Sequence, residues 1–230
     1  MKDPQSKGKT LWEMLVERLH AGGNGSGIAF SNPLALSVGS LVPIAYANGP
    51  QFTGYNFTVQ EIREYTRHIG AKEFRFTDYV LRGVNVRRPD ADDVVVTRLR
   101  VVPNQAGAND SLLLSLYDEF KFAETFLAVL KDTTGALTIT EDAAGAEASF
   151  TRINHLLEPY QAAVLVVTET TPDGKAATGG VSAAKLEYWD YWRDADIGAG
   201  KTAQEFVFVE MNSENGWFQI WRGREFYPAT

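Results

Sequence analysis

Residues 64–79 read EYTRHIGAKEFRFTDY, and residues 190–211 read DYWRDADIGAGKTAQEFVFVEM. In both segments an acidic residue precedes a tyrosine, and an arginine follows two positions after it. Both continue through Ile-Gly-Ala and a lysine, and both end on Glu-Phe-x-Phe-x-acid, where the last residues are Asp78 and Glu210. The second copy needs small insertions, all in the turn, where insertions are tolerated. Each segment therefore predicts a β-hairpin, and the pair predicts an internal duplication.

The sequence on either side of these hairpins continues as short segments rich in β-branched and aromatic residues, bounded by Gly, Pro, Asn or Asp. We predict strands near 36–47, 55–67, 72–82, 93–102, 111–118, 136–141, 161–170, 183–193, 204–211 and 216–222, with a short helix at 123–131. Strands about every ten residues with few helices predict a mainly β fold of antiparallel sheets, packed as sandwich or barrel-like modules.

The pattern predicts three regions along the chain. Residues 1–31 form an N-terminal amphipathic helix, TLWEMLVERLH at 10–20, and a glycine-rich joint. Residues 32–131 form a first β module and residues 136–230 a second one, with the alternative that both are fused into one domain. We expect the helix to pack on its own domain, because it is short and its polar face carries acids as well as bases.

Composition excludes several classes of function. The net charge of −7 disfavours wholesale binding of nucleic acid or anionic lipid. The absence of cysteine excludes disulfides, zinc ribbons, iron–sulfur clusters and thiol catalysis. We find no secretory signal and no apolar run near the roughly 18–20 residues that cross a bilayer. We therefore expect a cytoplasmic protein without a transmembrane segment, and peripheral association with a membrane stays open.

Three kinds of motif suggest chemistry, and we interpret each as structural. Gly200-Lys201-Thr202 resembles the end of a phosphate-binding loop, but a strand pattern follows it where that loop requires a helix. The histidines at 20, 68 and 155 lie in no motif for a nucleophile or a metal. The acidic clusters at 90–93 and 194–196 lack the ligand pattern of a calcium loop and are expected in turns. We predict no catalytic residue, no metal and no cofactor.

The aromatic residues are the remaining candidates for a binding site. In LEYWDYWR, residues 186–193, a strand puts Leu186 and Tyr188 on one face and Trp189 on the other. Rings on both faces indicate that both are covered, or that one face is a contact surface. Trp217 and Trp221 share a strand face in the same way. We favour core packing, with a protein interface and a platform for a carbohydrate or nucleobase as alternatives. The candidate partner- or ligand-binding residues are Tyr188, Trp189, Tyr191, Trp192, Trp217 and Trp221.

Three stretches carry a family resemblance: NPLALSVGSLVPIA (32–45), IREYTRHIGAKEFRFTDYVL (62–81) and the C-terminal series KLEYWDYWR, EFVFVEM and WFQIWRG. Together they resemble the YjfK-like family of bacterial proteins over most of residues 32–223. The tryptophans at 189, 192, 217 and 221 are not expected across that family. The resemblance implies a cytoplasmic bacterial protein encoded alongside membrane-stress proteins of the phage-shock type, and it implies no enzymatic activity and no catalytic residues.

These observations predict a non-enzymatic protein that binds another protein, in an assembly related to membrane stress. One alternative is a carbohydrate- or small-ligand-binding module that stacks its ligand on Trp217, Trp221 or Trp189. Another is a hydrolase built from carboxylates that are scattered in the sequence. The oligomeric state is left open.

Overall fold

The structure, a computed structural model, describes residues 32–45, 48–69, 72–87, 94–103, 109–141, 145–153, 159–171, 175–177, 180–197, 200–213 and 215–226. Eleven strands follow in chain order: β1 (Leu41–Val42), β2 (Tyr55–Ile69), β3 (Lys72–Asn85), β4 (Val94–Pro103), β5 (Asn109–Lys121), β6 (Ala136–Thr140), β7 (Glu147–Arg152), β8 (Tyr160–Val167), β9 (Val181–Asp196), β10 (Thr202–Asn212) and β11 (Trp217–Glu225). Helix α1 (Glu124–Leu130) lies between β5 and β6, and a 3₁₀ turn covers Pro50–Phe52.

Eight of these strands close into an antiparallel barrel. The order is β2-β3-β4-β5-β11-β10-β9-β8, and β8 pairs with β2 to complete the ring. The mainly β prediction is therefore confirmed, and the architecture is a barrel. Strands β2–β5 lie within 32–131 and β8–β11 within 136–230, so each predicted module contributes four strands to the same barrel.

The three other strands extend the barrel wall. β1 pairs with Phe57 and Thr58 of β2, beyond the stretch of β2 that β8 occupies. β7 pairs with Tyr191 and Trp192 of β9, again beyond β8, and β6 is added to β7. These additions lie against the outside of the barrel, where they cover parts of its surface.

Alternation along the strands produces apolar clusters on both sides of the wall. Inside, one cluster contains Tyr65, Phe76, Ala162, Val164, Leu186 and Tyr188, and another contains Leu112, Leu114, Phe206, Phe208 and Trp221. Outside, a cluster around Trp189, Tyr191 and Phe218 is covered by α1, β6 and β7. A second outer cluster around Tyr79 and Leu99 is covered by the segment that contains β1 and the 3₁₀ turn. The strand of LEYWDYWR therefore has two covered faces, both covered by this chain.

The strand predictions differ from the structure in two places. Of the predicted strand 36–47, the structure forms β1 only at Leu41–Val42 among the described residues. Gly39 has a φ of 88°, which turns the chain before β1, and Pro43 offers no N–H to continue the ladder. The strand β7 was missed, because EASFTR is short and only weakly apolar. The other nine strands and the helix at 123–131 are confirmed with small shifts of their ends, whereas the helix at 10–20 and its joint lie outside the described residues.

The two matched hairpins both form, but their registers differ by one residue. Tyr65 lies opposite Phe76 in the first hairpin, whereas Tyr191 lies opposite Val207 in the second. Tyr65 consequently belongs to an inner cluster and Tyr191 to an outer one. The second strand of each hairpin keeps its orientation, so Phe76 and Phe208 both face the inside.

Gly223 lies where two strands of the barrel wall approach closely. A Cβ built on this residue of β11 would lie 1.9 Å from the carbonyl oxygen of Leu113 on β5. The ladder between these strands also shifts register between Ile220 and Trp221. A glycine and a bulge at neighbouring positions are the usual means of bending a strand at a barrel corner.

Candidate functional site

The middle of the barrel holds a layer of ionised side chains, which we call the charged layer: Asp78, Arg98, Arg100 and Glu210. Arg98 on β4 reaches Glu210 on β10, with Nη1 2.7 Å from Oε2. Since β4 and β10 are not neighbours in the sheet, this contact crosses the inside of the barrel. Arg100 makes a bidentate pair with Asp78, with both N–O distances at 2.8 Å.

The charged layer joins the two predicted hairpins. Asp78 and Glu210 are the final acids of the matched Glu-Phe-x-Phe-x-acid motifs, and each approaches both arginines of β4. Aromatic rings surround the guanidinium groups: Arg98 lies 3.7 Å from the ring centroid of Trp221, and Arg100 lies 4.3 Å from that of Phe208. These cation–π contacts replace part of the hydration that the buried arginines lose.

Burial and pairing shift the pKa values of Asp78 and of the neighbouring Tyr65. Burial alone would raise the pKa of Asp78, but the guanidinium groups of Arg100 and Arg98 lower it below its ordinary value. Burial raises the pKa of Tyr65, whose hydroxyl lies 3.3 Å from Glu210 and 3.2 Å from Arg98. Asp78 is therefore a carboxylate and Tyr65 a neutral phenol at neutral pH, and both side chains are buried.

A second buried ion pair fills the inside near the β2–β3 turn. Arg67 Nη1 lies 2.9 Å from Asp190 Oδ2, and both side chains are 5% exposed. The same guanidinium lies 4.3 Å from the ring centroid of Tyr160 and 5.1 Å from that of Tyr188. Burial raises the pKa of Tyr160 to about 12, so its hydroxyl is protonated at neutral pH. The ion pair and these rings fill the inside here. A cavity of about 630 Å³ lies beside them, lined by Tyr160, His68 and Leu186 among others.

The opposite end of the barrel is open and forms a cavity of about 280 Å³, which we call the mouth pocket. Its lining residues are Arg63, Glu119, Leu186, Glu210, Asn212, Asn215, Trp217 and Gln219. Glu210 and Gln219 belong to the floor, because both contact Arg98 of the charged layer. Asn215 and Trp217 belong to the rim, since they lie in and just after the turn between β10 and β11.

Gln219 connects the rim of the mouth pocket to its floor. Its side-chain oxygen accepts hydrogen bonds from Arg98 Nη2 at 3.0 Å and from the indole N–H of Trp221 at 3.4 Å. Its amide nitrogen donates to the carboxylate of Glu119 on β5. Two donors therefore fix the amide in one orientation, with its N–H groups towards Glu119.

Comparison with protein-family models, with curated proteins and with solved structures gives no match for this chain. The geometry of the described residues is therefore the basis for a function. Within those residues, no group of three or more His, Asp or Glu side chains is arranged to hold a metal ion. No helix in the same part of the chain is long and apolar enough to cross a membrane.

The structure separates the six aromatic candidates. Tyr188, Trp189, Tyr191 and Trp221 are buried, with at most 3% of each residue exposed. Trp192 is half-buried and packs against the inner cluster of Phe206 and Phe208. Trp217 is 36% exposed and lines the mouth pocket. A molecule bound to the folded barrel can therefore contact at most the last two of these rings.

Other sequence motifs also have a place in the fold. Gly200 and Lys201 lie in the turn between β9 and β10, and Thr202 begins β10, as the hairpin interpretation predicts. Asp194 and Asp196 lie on β9 instead of in a turn, because that strand continues to Asp196. His68 is exposed at the end of β2. The acids at 90–93 and the histidines at 20 and 155 lie outside the described residues.

Sequence reasoning missed the residues that build the site: Arg63, Arg98, Glu119 and Gln219. A signal was present for Arg98 and Arg100, because they alternate with apolar residues in VVVTRLRVV, within β4. In a strand that is buried on both sides, such alternation indicates charges that face inwards and need acidic partners. Glu119 lies in a polar stretch of β5 and has no comparable signal, whereas Gln219 stands between apolar residues in WFQIW of β11.

A second arginine cluster lies on the outside of the barrel wall. The buried carboxylate of Glu205 contacts Arg193, Arg222 and Arg224, with the shortest N–O distance 2.6 Å to Arg193. These contacts and hydrogen bonds lower the pKa of Glu205 against the effect of burial. Glu141 adds a further carboxylate to Arg193 and Arg222. In this cluster two carboxylates contact three guanidinium groups, and these contacts tie β9, β10 and β11 to the end of β6.

Proposed function

We propose that the barrel binds a small polar ligand in the mouth pocket. The observation that carries the proposal is the cavity of about 280 Å³ at the open end of the barrel, with the exposed ring of Trp217 on its rim. Small barrels with a packed interior commonly hold one small ligand at an end. The charged layer supports this function, because it gives the pocket a rigid floor and closes the barrel below it.

The polar lining specifies the general chemistry of the ligand. Six of the eight lining residues carry charged or amide side chains, and Trp217 and Leu186 supply the apolar contacts. Planar polar groups at fixed positions beside one aromatic ring favour a ligand with several hydrogen-bonding groups and one apolar face. This proposal corresponds to the small-ligand alternative from the sequence, with Trp217 retained and the buried Trp189 and Trp221 excluded from direct contact.

Binding of a protein partner, in an assembly related to membrane stress, stays a prediction, as do the YjfK-like resemblance and the cytoplasmic location. One observation favours a docking surface elsewhere on the barrel. Val94 and Val96 on β4 and Val86 after β3 are exposed, by 37%, 41% and 55%. Val84, two residues before Val86, pairs with Val94, so the three exposed valines lie at one corner of the sheet. A partner would be expected at this corner rather than on the buried rings.

The test of ligand binding uses the full chain and a library of small polar compounds, followed by two-dimensional NMR of the tryptophan indole N–H groups. We expect a subset of compounds to shift the Trp217 resonance. Since Trp217→Ala lacks that resonance, binding to this variant is measured by isothermal titration calorimetry, and we expect it to be weakened. Tyr117→Ala is the matched control, because Tyr117 is 38% exposed on β5 and does not line the mouth pocket. If compounds that bind the wild type bind Trp217→Ala equally well, the mouth pocket is not their site.

A further inference from the structure

We propose, resting on the proposed function, that the ligand of the mouth pocket is a neutral sugar ring that presents hydroxyl groups to Glu119. The inference depends on the side chain that Gln219 holds in place, on the balance of charge in the pocket and on its size and aromatic rim.

The orientation of Gln219 makes Glu119 a fixed acceptor. Arg98 and Trp221 both donate to the side-chain oxygen of Gln219, so its amide nitrogen is turned towards Glu119. A carboxylate has about four lone-pair sites, and this hydrogen bond uses one of them. Glu119 is exposed at the rim, so its remaining sites face the region that a ligand would occupy. Such a carboxylate selects for groups that donate hydrogen bonds.

The charge balance disfavours an anionic ligand. Three charged side chains line the pocket: Arg63, Glu119 and Glu210. The charge of Glu210 is offset by Arg98, and Arg63 pairs with Glu61 on its own strand. Among these contacts, the carboxylate of Glu119 is therefore the charged group that is not paired with an opposite charge. A ligand carboxylate or phosphate would be repelled by Glu119, whereas a neutral hydroxyl is accepted by it.

Arg63 and the indole ring of Trp217 complete a set of groups that matches a sugar. A hydroxyl both donates and accepts, so adjacent hydroxyls can bridge the acceptor Glu119 and donors such as Arg63. The C–H face of a sugar ring is apolar and suits the exposed ring of Trp217. A cavity of about 280 Å³ is at the small end of ligand sites, so it fits a single ring rather than a chain of sugars.

A positively charged amine is the strongest competitor, because it would also suit Glu119 and the face of an aromatic ring. The mouth pocket supplies one aromatic ring and one unmatched carboxylate, together with the donor groups of Arg63, Asn212 and Asn215. Arg63 only donates, so it has no role towards an ammonium group, which is itself only a donor. The presence of both donors and acceptors therefore favours hydroxyl groups.

The experiment measures binding of four classes of probe to the full chain by NMR titration of the Trp217 indole N–H. The probes are neutral monosaccharides (glucose, galactose, mannose and N-acetylglucosamine), glucuronate, glucose 6-phosphate and tetramethylammonium. Two variants accompany the wild type. Glu119→Gln removes the charged acceptor from an exposed position. Gln219→Glu keeps an acceptor for Arg98 and Trp221, but it loses the donor to Glu119 and places a second carboxylate beside it.

We expect at least one neutral monosaccharide to bind, and we expect Glu119→Gln to weaken its affinity about tenfold or more, as loss of a charged hydrogen bond does. Gln219→Glu should weaken the same sugar, because Glu119 is no longer held in place. Tighter binding of glucuronate, glucose 6-phosphate or tetramethylammonium than of every neutral sugar would overturn the sugar assignment and leave the mouth pocket as a ligand site. If no probe and no library compound shifts Trp217, the proposed function fails as well.

Discussion

Asp78→Asn is the substitution that tests the charged layer most directly. The side chain is fully buried, its two oxygens each lie 2.8 Å from Arg100, and Arg98 Nη1 lies 3.6 Å from Oδ2. Asparagine has nearly the same shape, so the change removes charge without leaving a cavity. It leaves Arg98 and Arg100 with Glu210 as their remaining acidic partner in the layer. Removing one partner of a buried ion pair typically costs about 3–5 kcal/mol.

We therefore expect the free energy of unfolding of Asp78→Asn to fall by about 3–5 kcal/mol, a large part of the stability of a typical domain. For a chain of this size the corresponding fall in Tm is roughly 6–20 °C. The measurement is urea unfolding followed by circular dichroism, with thermal unfolding as a second readout.

Glu73→Gln is the matched control, because it removes a carboxylate from the same strand at a partly exposed pair. Glu73 Oε1 lies 2.7 Å from Arg75 Nε, and the two side chains are 32% and 27% exposed. Pairs of this kind contribute about 0–1 kcal/mol. A loss for Asp78→Asn that is no larger than the loss for Glu73→Gln would refute the idea that the layer depends on its buried charges.

The pH dependence of stability offers an independent check on the same residue. The folded protein lowers the pKa of Asp78 below 3.8, its ordinary value. The resulting stabilisation is fully present above the unfolded pKa, and it is lost as the pH falls through the lower folded pKa. Below pH 3.8 the wild type should consequently lose stability more steeply than Asp78→Asn. Parallel curves for the two proteins in this acid range would contradict the assignment.

Three further predictions concern other parts of the barrel. Gly223→Ala places a Cβ 1.9 Å from a carbonyl oxygen of the facing strand. We therefore expect urea unfolding to show a fall of more than about 3 kcal/mol in the free energy of unfolding, and a fall below about 1 kcal/mol would contradict the close approach. Arg67→Met and Asp190→Asn should each lower the free energy of unfolding strongly, and the double variant should lose much less than the sum of the two. Additive losses in this double-mutant cycle would rule out direct coupling between the two side chains. Trp217→Phe should reduce the acrylamide-quenchable fluorescence more than Trp221→Phe, since the two residues are 36% and 2% exposed, and equal reductions would contradict their placement.

The alternation of apolar residues predicts most of the strands, because that pattern is local. It also predicts correctly that Tyr188 and Trp189 project from opposite faces of β9, and the structure places them in an inner and an outer cluster. The ring closure has no such signal, since β2 and β8 are far apart in the sequence and any free strand edge offers the same backbone groups. Only the folded arrangement reveals which elements cover the outside of β9.

The candidate site was less accessible to sequence reasoning. The prediction concentrated on tryptophans, and one of them, Trp217, lies at the mouth pocket. The other lining residues come from β2, β5, β9, β10, β11 and the turn between β10 and β11, and none of them stands out within its own segment. A pocket formed at the convergence of several strands depends on their order and tilt, which short-range patterns do not encode.

The closed ring has a consequence for how the protein reaches its folded state. The β2–β8 and β5–β11 ladders are the two seams between the N-terminal and C-terminal halves, and both join residues that are distant in the sequence. During synthesis the first four barrel strands emerge without the partners for either seam, and Arg98 emerges long before Glu210. Rates of folding fall as contacts become less local, so seam closure is expected to be the slow step. Until then the half-made sheet exposes two bare edges, and chains stalled at this stage are the ones most prone to aggregate.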